Sequence, residues 1–264
     1  MAEEAGFQVE KPIGGLGTAL GLRAVMDGLP GRVQIIGTPG EEGGGGKVIL
    51  VEAGVFDDVD VTMMFHHGRK TVLWRHALAR RKLLIEFFGK AAHAAAYPEE
   101  GLNALDATIL TFQNINAPRQ HIRDDARIHG IITHGGDAPN IVPDYSACLF
   151  YVRALDDYCD ELLERVKNCA RGAAIATGAR VEMKMQGAYK SLRTNMPLAE
   201  AFKANLESLG WEFDEIDPTK NLGSTDMGDV SHVTAAIHPS LSIEPEDLVG
   251  HSTEFAKAVS EKGH

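Results

Sequence analysis

The order in which apolar periodicity changes along the chain most limits what it can fold into. Residues 82–88, KLLIEFF, read as a strand, and 101–116 read as a helix with Leu102, Leu105, Ile109 and Phe112 on one face. Two strands follow at 126–133 and 144–153. Residues 156–178 have Leu162, Leu163, Val166 and Ala170 at helical spacing, opened by Asp156-Asp157 and stopped by Gly178. Residues 181–186, VEMKMQ, alternate as a last strand. The order β-α-β-β-α-β is that of the ferredoxin-like motif. It predicts a compact unit over residues 79–190.

The flanks carry a different pattern. Residues 15–28 suggest a helix with Leu16, Leu20, Val25 and Met26 and a closing Gly28. Then come a β-branched run at 32–38 (RVQIIGT), the loop TPGEEGGGG, a helical pattern at 47–53 and an apolar strand at 59–65 that ends in His66-His67-Gly68. Strands separated by helices imply a mainly parallel sheet in an α/β unit. Residues 191–264 return to a helix at 198–209, short strands and loops. The predicted organisation is therefore one α/β domain in two segments, 1–78 and 191–264, interrupted by the ferredoxin-like unit. In open parallel sheets chemistry gathers at the carboxyl ends of the strands. Glu41-Glu42 and His66-His67 both lie just beyond such ends.

Composition narrows the class of partner. There are 37 acidic against 26 basic residues, a net charge of −11, and no basic tract, which excludes a nucleic-acid footprint. No run of about 18 apolar residues occurs, so no membrane span is expected. The first twelve residues, MAEEAGFQVEKP, lack the apolar core of a secretory signal. The three cysteines, Cys148, Cys159 and Cys169, have no CxxC spacing and suit a reducing cytoplasm. Glycine is in excess, 28 of 264, and clusters around residues 40–46.

Several residues could carry chemistry. In the pair Glu41-Glu42 one carboxylate can bind a divalent ion while the other takes a proton from water. The same pair also reads as an acidic first helical turn. The GGGG run favours the former, because four glycines are entropically costly unless backbone approaches something closely. His66 reads as a metal ligand or a structural strand-end imidazole, and Glu42 on a neighbouring strand end favours the metal. His93 lies in GKAAHAAAYP, where small residues admit a ligand, or stands as a solvated histidine at a helix start. Asn140 and Arg153 suit oxyanion and carboxylate binding, or are a turn amide and a surface cation. The loop GSTDMGDVS, with Ser224 and Thr225, faces substrate or forms an ordinary turn. His251 carries no signal by itself, and His134, His232 and His238 read as lying outside any site.

Taken together, GTPGEEGGGGK, MMFHHG, GKAAHAAAYPEEGLNALDA, HGIITHGGDAPNIVPDYSA, GSTDMGDVSHVTAAIHP and GHSTEF resemble the amidohydrolase branch of the M-twenty metallopeptidases. The branch includes aminoacylases, carboxypeptidases, dipeptidases and aminobenzoyl-glutamate hydrolases. The resemblance implies a zinc-exopeptidase-like catalytic domain and a lid that also forms a homodimer. It implies hydrolysis of amide bonds in small N-acyl amino acids or dipeptides, with zinc, manganese or cobalt as cofactor. By the same resemblance Glu41 is the general base, and Glu42, His66 and His251 are metal ligands. His93 reaches from the partner's lid to the oxyanion, and Asn140, Arg153, Ser224 and Thr225 bind substrate. Members also carry a Cys-Gly-His metal motif just before the GLGTALGL helix, where this sequence has MAEEAGFQVEKP. The expected metal set is therefore partial, and an inactive truncated homologue serving as a dimerising or binding module is the alternative.

Overall fold

The computed structural model describes residues 13–26, 30–41, 43–215, 217, 223–242 and 253–254. In chain order the elements are α1 (Ile13–Val25), α2 (Gly46–Glu52), β1 (Val61–Met63), β2 (His66–Gly68), β3 (Ala79–Phe88), α3 (Ala104–Asn116), β4 (Arg127–His134), β5 (Tyr145–Ala154), α4 (Asp156–Thr177), β6 (Arg180–Tyr189), α5 (Met196–Ser208), α6 (Met227–Val230), β7 (Ala235–Ile237) and β8 (Ser240–Ser242). The chain divides into two compact units. One takes the segments up to His76, from Leu192 and from Asp226; the other takes Ala77–Ser191 and a short segment ending at Thr225.

The second unit is a four-stranded antiparallel sheet in the order β4-β5-β3-β6, with α3 and α4 packed on one face. Successive side chains of a strand point to opposite faces. Leu83, Ile85 and Phe87 of β3 and Cys148, Phe150 and Val152 of β5 therefore enter one core with Leu162, Val166 and Ala170 of α4. The 22-residue α4 obeys its sequence signals. Asp156 and Asp157 complement the positive end of the helix, and Gly178, at φ 77°, ends it in the left-handed region with its N–H on the Ala174 carbonyl.

Helix α3 bears out its predicted face in part: Leu102 and Phe112 pack against the core, while small residues supply most of the buried contact. Its buried side chains are Ala104, Ala107, Thr108, Thr111 and Ile115, whereas Ile109 is 43% exposed. The cap is Asn103, whose Oδ1 accepts the Leu105 and Asp106 N–H groups and starts the helix later than expected. Small residues on the inner face let α3 lie close to the sheet, and Thr108 bonds Ser146 at 2.8 Å across that gap.

In the first unit β1 pairs in parallel with β7, and β2 with β8. Among the described residues these are two separate two-stranded ladders rather than one continuous sheet. The strand expected at 32–38 does not form. Val33 and Ile35 are each 46% exposed, and no described strand ladders with them, so the β-branched run lacks the partner that would make it a strand. The strand expected at 59–65 narrows to the three residues that pair with β7. Among the described residues no helix is long and apolar enough to cross a membrane.

Leu162 is fully buried and Ile175, on the same helix, is 84% exposed. Leu162→Ala should therefore lower unfolding free energy by about 2–5 kcal/mol, and Ile175→Ala by less than about 0.5 kcal/mol, in urea titrations. On the sheet face away from the helices, Lys184 at 2.8 Å and the Tyr145 hydroxyl at 2.9 Å donate to Glu86 and hold its carboxyl below the usual range. A depressed carboxyl stabilises the fold above its ordinary pKa, and that contribution is lost as pH falls through the depressed value. Lys184→Met should move the Glu86 midpoint upward in a carboxyl NMR titration.

Candidate active site

The glycine-rich segment is a tightly wound turn. The Gly44 and Gly45 N–H groups both donate to the Gly40 carbonyl, at 2.8 and 2.9 Å, and the Gly43 N–H donates to that of Glu41 at 2.7 Å. Gly40 and Gly45 sit at φ 73° and 66°, where side chains are strained. A Cβ on Gly46 would lie 1.8 Å from the Pro39 carbonyl oxygen. The close approach that the glycines permit is thus of the chain to itself, and it presents a half-buried Glu41 at the turn. Glu42 lies outside the described residues.

The turn is fastened at its far end. Lys47 Nζ donates to Asp226 Oδ1 at 2.8 Å, and the Lys47 N–H donates to Oδ2 at 3.1 Å. Both residues are buried, at 3% and 0% exposure. Burial pushes the Asp226 carboxyl up, Lys47 pulls it down, and the neighbouring charge of Glu41 raises it again. Burial lowers the Arg75 guanidinium, while Glu41 raises it. Glu41 therefore sits electrostatically between a fastened ion pair and an arginine.

His66 follows β1 and opens β2, and its N–H donates to the Pro239 carbonyl at 2.9 Å. Its Nδ1 meets the His67 carbonyl at 2.5 Å, which leaves Nε2 for another partner. The His67 ring stacks on it at 4.7 Å, and the His238 ring lies 5.9 Å away. His238 directly follows β7, so the two histidines stand at the carboxyl ends of paired parallel strands. Both ring nitrogens of His238 are buried without a hydrogen-bond partner among the described residues. Burial first, and then the positive charges of Arg75, His66 and Lys47, hold this imidazole well below its usual pKa. His238, expected to lie outside any site, thus stands beside a predicted ligand.

The unused Nε2 of His66 is of the donor type that a divalent cation takes. Among the described residues no group of three such side chains is close enough to hold one. Of the expected ligands His66 is described, while Glu42 and His251 lie outside the described residues.

The second unit separates its candidates. The His93 backbone bridges Ile141, and the Ala94 N–H donates to the Asn140 carbonyl at 3.0 Å, so both exposed residues share one end of the unit. His93 Nδ1 accepts from the Ala95 and Ala96 N–H groups, which directs an Nε2–H outward. Arg153 stands near the end of β5, opposite Arg80 at the start of β3. There the Gly223 carbonyl accepts from the Leu78 N–H at 2.8 Å, next to Ser224, whose hydroxyl is buried without a partner among the described residues, and buried Thr225. The ten residues of β3, about 30 Å at ~3.3 Å each, lie between the two groups.

Breaking the buried pair one partner at a time strands a charge. Lys47→Ala should lower unfolding free energy by about 3–5 kcal/mol in urea titrations. The double variant K47M/D226L should return it to the wild-type level or above.

Residues 12–261 match the description of Peptidase family M20/M25/M40. A Xaa-Arg dipeptidase of Homo sapiens is 40% identical over 254 residues, 92% of this chain and 58% of the relative. A p-aminobenzoyl-glutamate hydrolase polypeptide of Escherichia coli is 36% identical over 204 residues, 75% of this chain and 42% of the relative. The crystal structure of an aminobenzoyl-glutamate utilization protein from Klebsiella pneumoniae superposes with a TM-score of 0.74 at 26% identity, over 93% of this chain and 63% of that one. The chain thus spans 58% and 42% of the length of these two curated relatives, which are enzymes, and shares the α/β fold of the solved structure. With a carboxylate-bearing glycine turn and a strand-end histidine in one unit, and with the match running across nearly all of its length, the chain belongs to peptidase family M20/M25/M40.

Proposed function

We propose that the chain is the part of a metal-dependent amidohydrolase that carries the general base, and that it cleaves the amide bond of small N-acyl amino acids or dipeptides. One observation carries this: Glu41 is held on a turn pinned by Gly40 and by the Lys47–Asp226 pair, in the same unit as the strand-end His66. A carboxylate carried on a fixed backbone is suited to taking a proton from water and returning it to a leaving amine. Glu42, His66 and His251 would hold the divalent ion, zinc in our reading, with manganese or cobalt as alternatives. Such an ion, when bound, polarises the scissile carbonyl and makes water a better acid.

His93, Asn140, Arg153, Ser224 and Thr225 complete the assignment. The outward Nε2–H of His93 suits an oxyanion, and the Asn140 amide suits a carbonyl. Arg153 suits a carboxylate, with Ser224 and Thr225 at the same end of the sheet. The distance along β3 supports a division of labour in which His93 and Asn140 serve the site of a second copy, joined through the four-stranded unit as a lid. The free cysteines suit a cytoplasmic setting.

The test is hydrolysis of a panel of dipeptides and p-aminobenzoyl-glutamate with added zinc, manganese or cobalt. Turnover should appear with at least one metal, and Glu41→Gln should reduce it by about a hundredfold or more while the bound metal, measured by emission spectroscopy, is unchanged. A fully active Glu41→Gln variant would refute the base assignment. A stable dimer with neither metal nor turnover would assign the chain to a binding or dimerising role instead.

A further inference from the structure

The sheet of the second unit carries a charge arrangement that its own fold does not neutralise. Arg80 on β3 is directly opposite Arg153 on β5, and Arg153 is directly opposite Arg127 on β4. Residues in register across a sheet point to the same face, and like charges there are destabilising. Arg127 is exposed and turned back on its own strand, with its guanidinium on the Asp124 and Ala126 carbonyls. Arg80 and Arg153 have no such outlet. Neither guanidinium makes a hydrogen bond or ion pair with the described residues, and the Nε of each is buried without a partner. Arg80 is only 7% exposed. Its guanidinium lies over the rings of Tyr189 at 3.9 Å and Tyr151 at 5.0 Å, which orient it without using its donors.

The neighbouring arginine shows what a satisfied guanidinium looks like in this unit. Arg81, on the opposite face, grips both oxygens of Asp160 at 2.7 and 3.0 Å and reaches the Tyr189 carbonyl at 2.9 Å. Arg80 and Arg153 instead present unfilled forks on adjacent strands between tyrosine rings. A buried donor without an acceptor is expensive, and two guanidiniums side by side compound it. An oxyanion placed between them would accept from both and cancel their repulsion, since a planar fork matches a carboxylate or a phosphate.

We infer that Arg80 is the second guanidinium of an oxyanion site on this face of the sheet, holding one carboxylate or phosphate group jointly with Arg153. The identity of that anion as the carboxylate of an amide substrate rests on the function proposed above; the site itself does not.

Calorimetric titration of the full chain, with ionic strength held constant by chloride, tests this without requiring turnover. The probes are N-benzoylglycine, its uncharged amide, and inorganic phosphate. At least one of the two anions should bind about tenfold or more tightly than the amide, and Arg80→Gln should remove that preference with an unchanged circular dichroism spectrum. Arg80→Lys keeps the charge but not the fork, and should weaken the anion severalfold, which covers the case in which Arg80→Gln does not fold. Arg81→Gln, on the other face, should leave anion binding intact. Tight benzoylglycine supports a substrate carboxylate; phosphate alone supports the same site serving a free anion. An Arg80→Gln variant with wild-type anion preference, or a wild type that binds neither anion more tightly than the amide, overturns the inference. Anion binding that persists in a chain without metal-dependent hydrolysis would sink the proposed function and leave this site standing.

Discussion

The contact between Lys47 and Asp226 ties together two stretches of chain 179 positions apart. Among the described residues the strands of the first unit pair with segments distant in sequence. β1 finds β7, β2 finds β8, and Thr194 bridges Ala236. The strand pairings and the ion pair each close a loop that contains all or nearly all of the second unit. Loop closure of that length is unfavourable, though it grows slowly with length, and an already folded insertion shortens the effective loop. A fully buried, doubly bonded ion pair is a demanding fastening, since either charge without the other would be stranded in the core. It fixes the start of α2, and through it the glycine turn that bears Glu41.

The second unit needs no such fastening. Its strands ladder to one another, its helices cover one face, and all its large buried side chains come from a continuous run of sequence. Chemistry has been placed at its margins. The His93 loop, the Arg80–Arg153 pair and the orphaned Ser224 hydroxyl stand at the strand ends, where backbone is held rigidly while side chains remain available.

How much of this was legible follows from the range over which each determinant acts. Helix α4 is read directly, because Leu162, Leu163, Val166 and Ala170 repeat within one window and Asp156 and Gly178 mark its ends. Helix α3 is legible with only part of its face, Leu102 and Phe112, because large residues dominate a periodicity count while much of this interface is built from Ala104, Ala107, Thr108 and Thr111. The run at 32–38 has strand propensity and no described partner, and propensity without a partner does not make a strand. Glu41 and His66 were legible as candidates, a carboxylate and an imidazole at the ends of apolar runs. Lys47, Asp226 and His238 were not, since their meaning lies in contacts between segments that no local window spans. Arg80 and Arg153 were invisible as a pair for a related reason: register across strands, rather than spacing along the chain, sets them face to face.

The same register constrains how the candidate residues can work together. A strand is close to inextensible, so the two ends of β3, near which Arg153 and the His93 loop lie, stay about 30 Å apart in any conformation that preserves the sheet. A dipeptide-sized molecule is far shorter than that. Within one copy, then, His93 and Arg153 cannot hold the same small substrate. If both serve amide hydrolysis, the site that uses His93 belongs to another copy, and the chain works as an assembly in which each sheet contributes its two ends to two different sites. If they serve separate ligands, Arg153 with Arg80 binds its anion independently of His93. In either case the length of β3, set by the alternation of Leu83, Ile85 and Phe87 into the core, decides which residues can share a substrate.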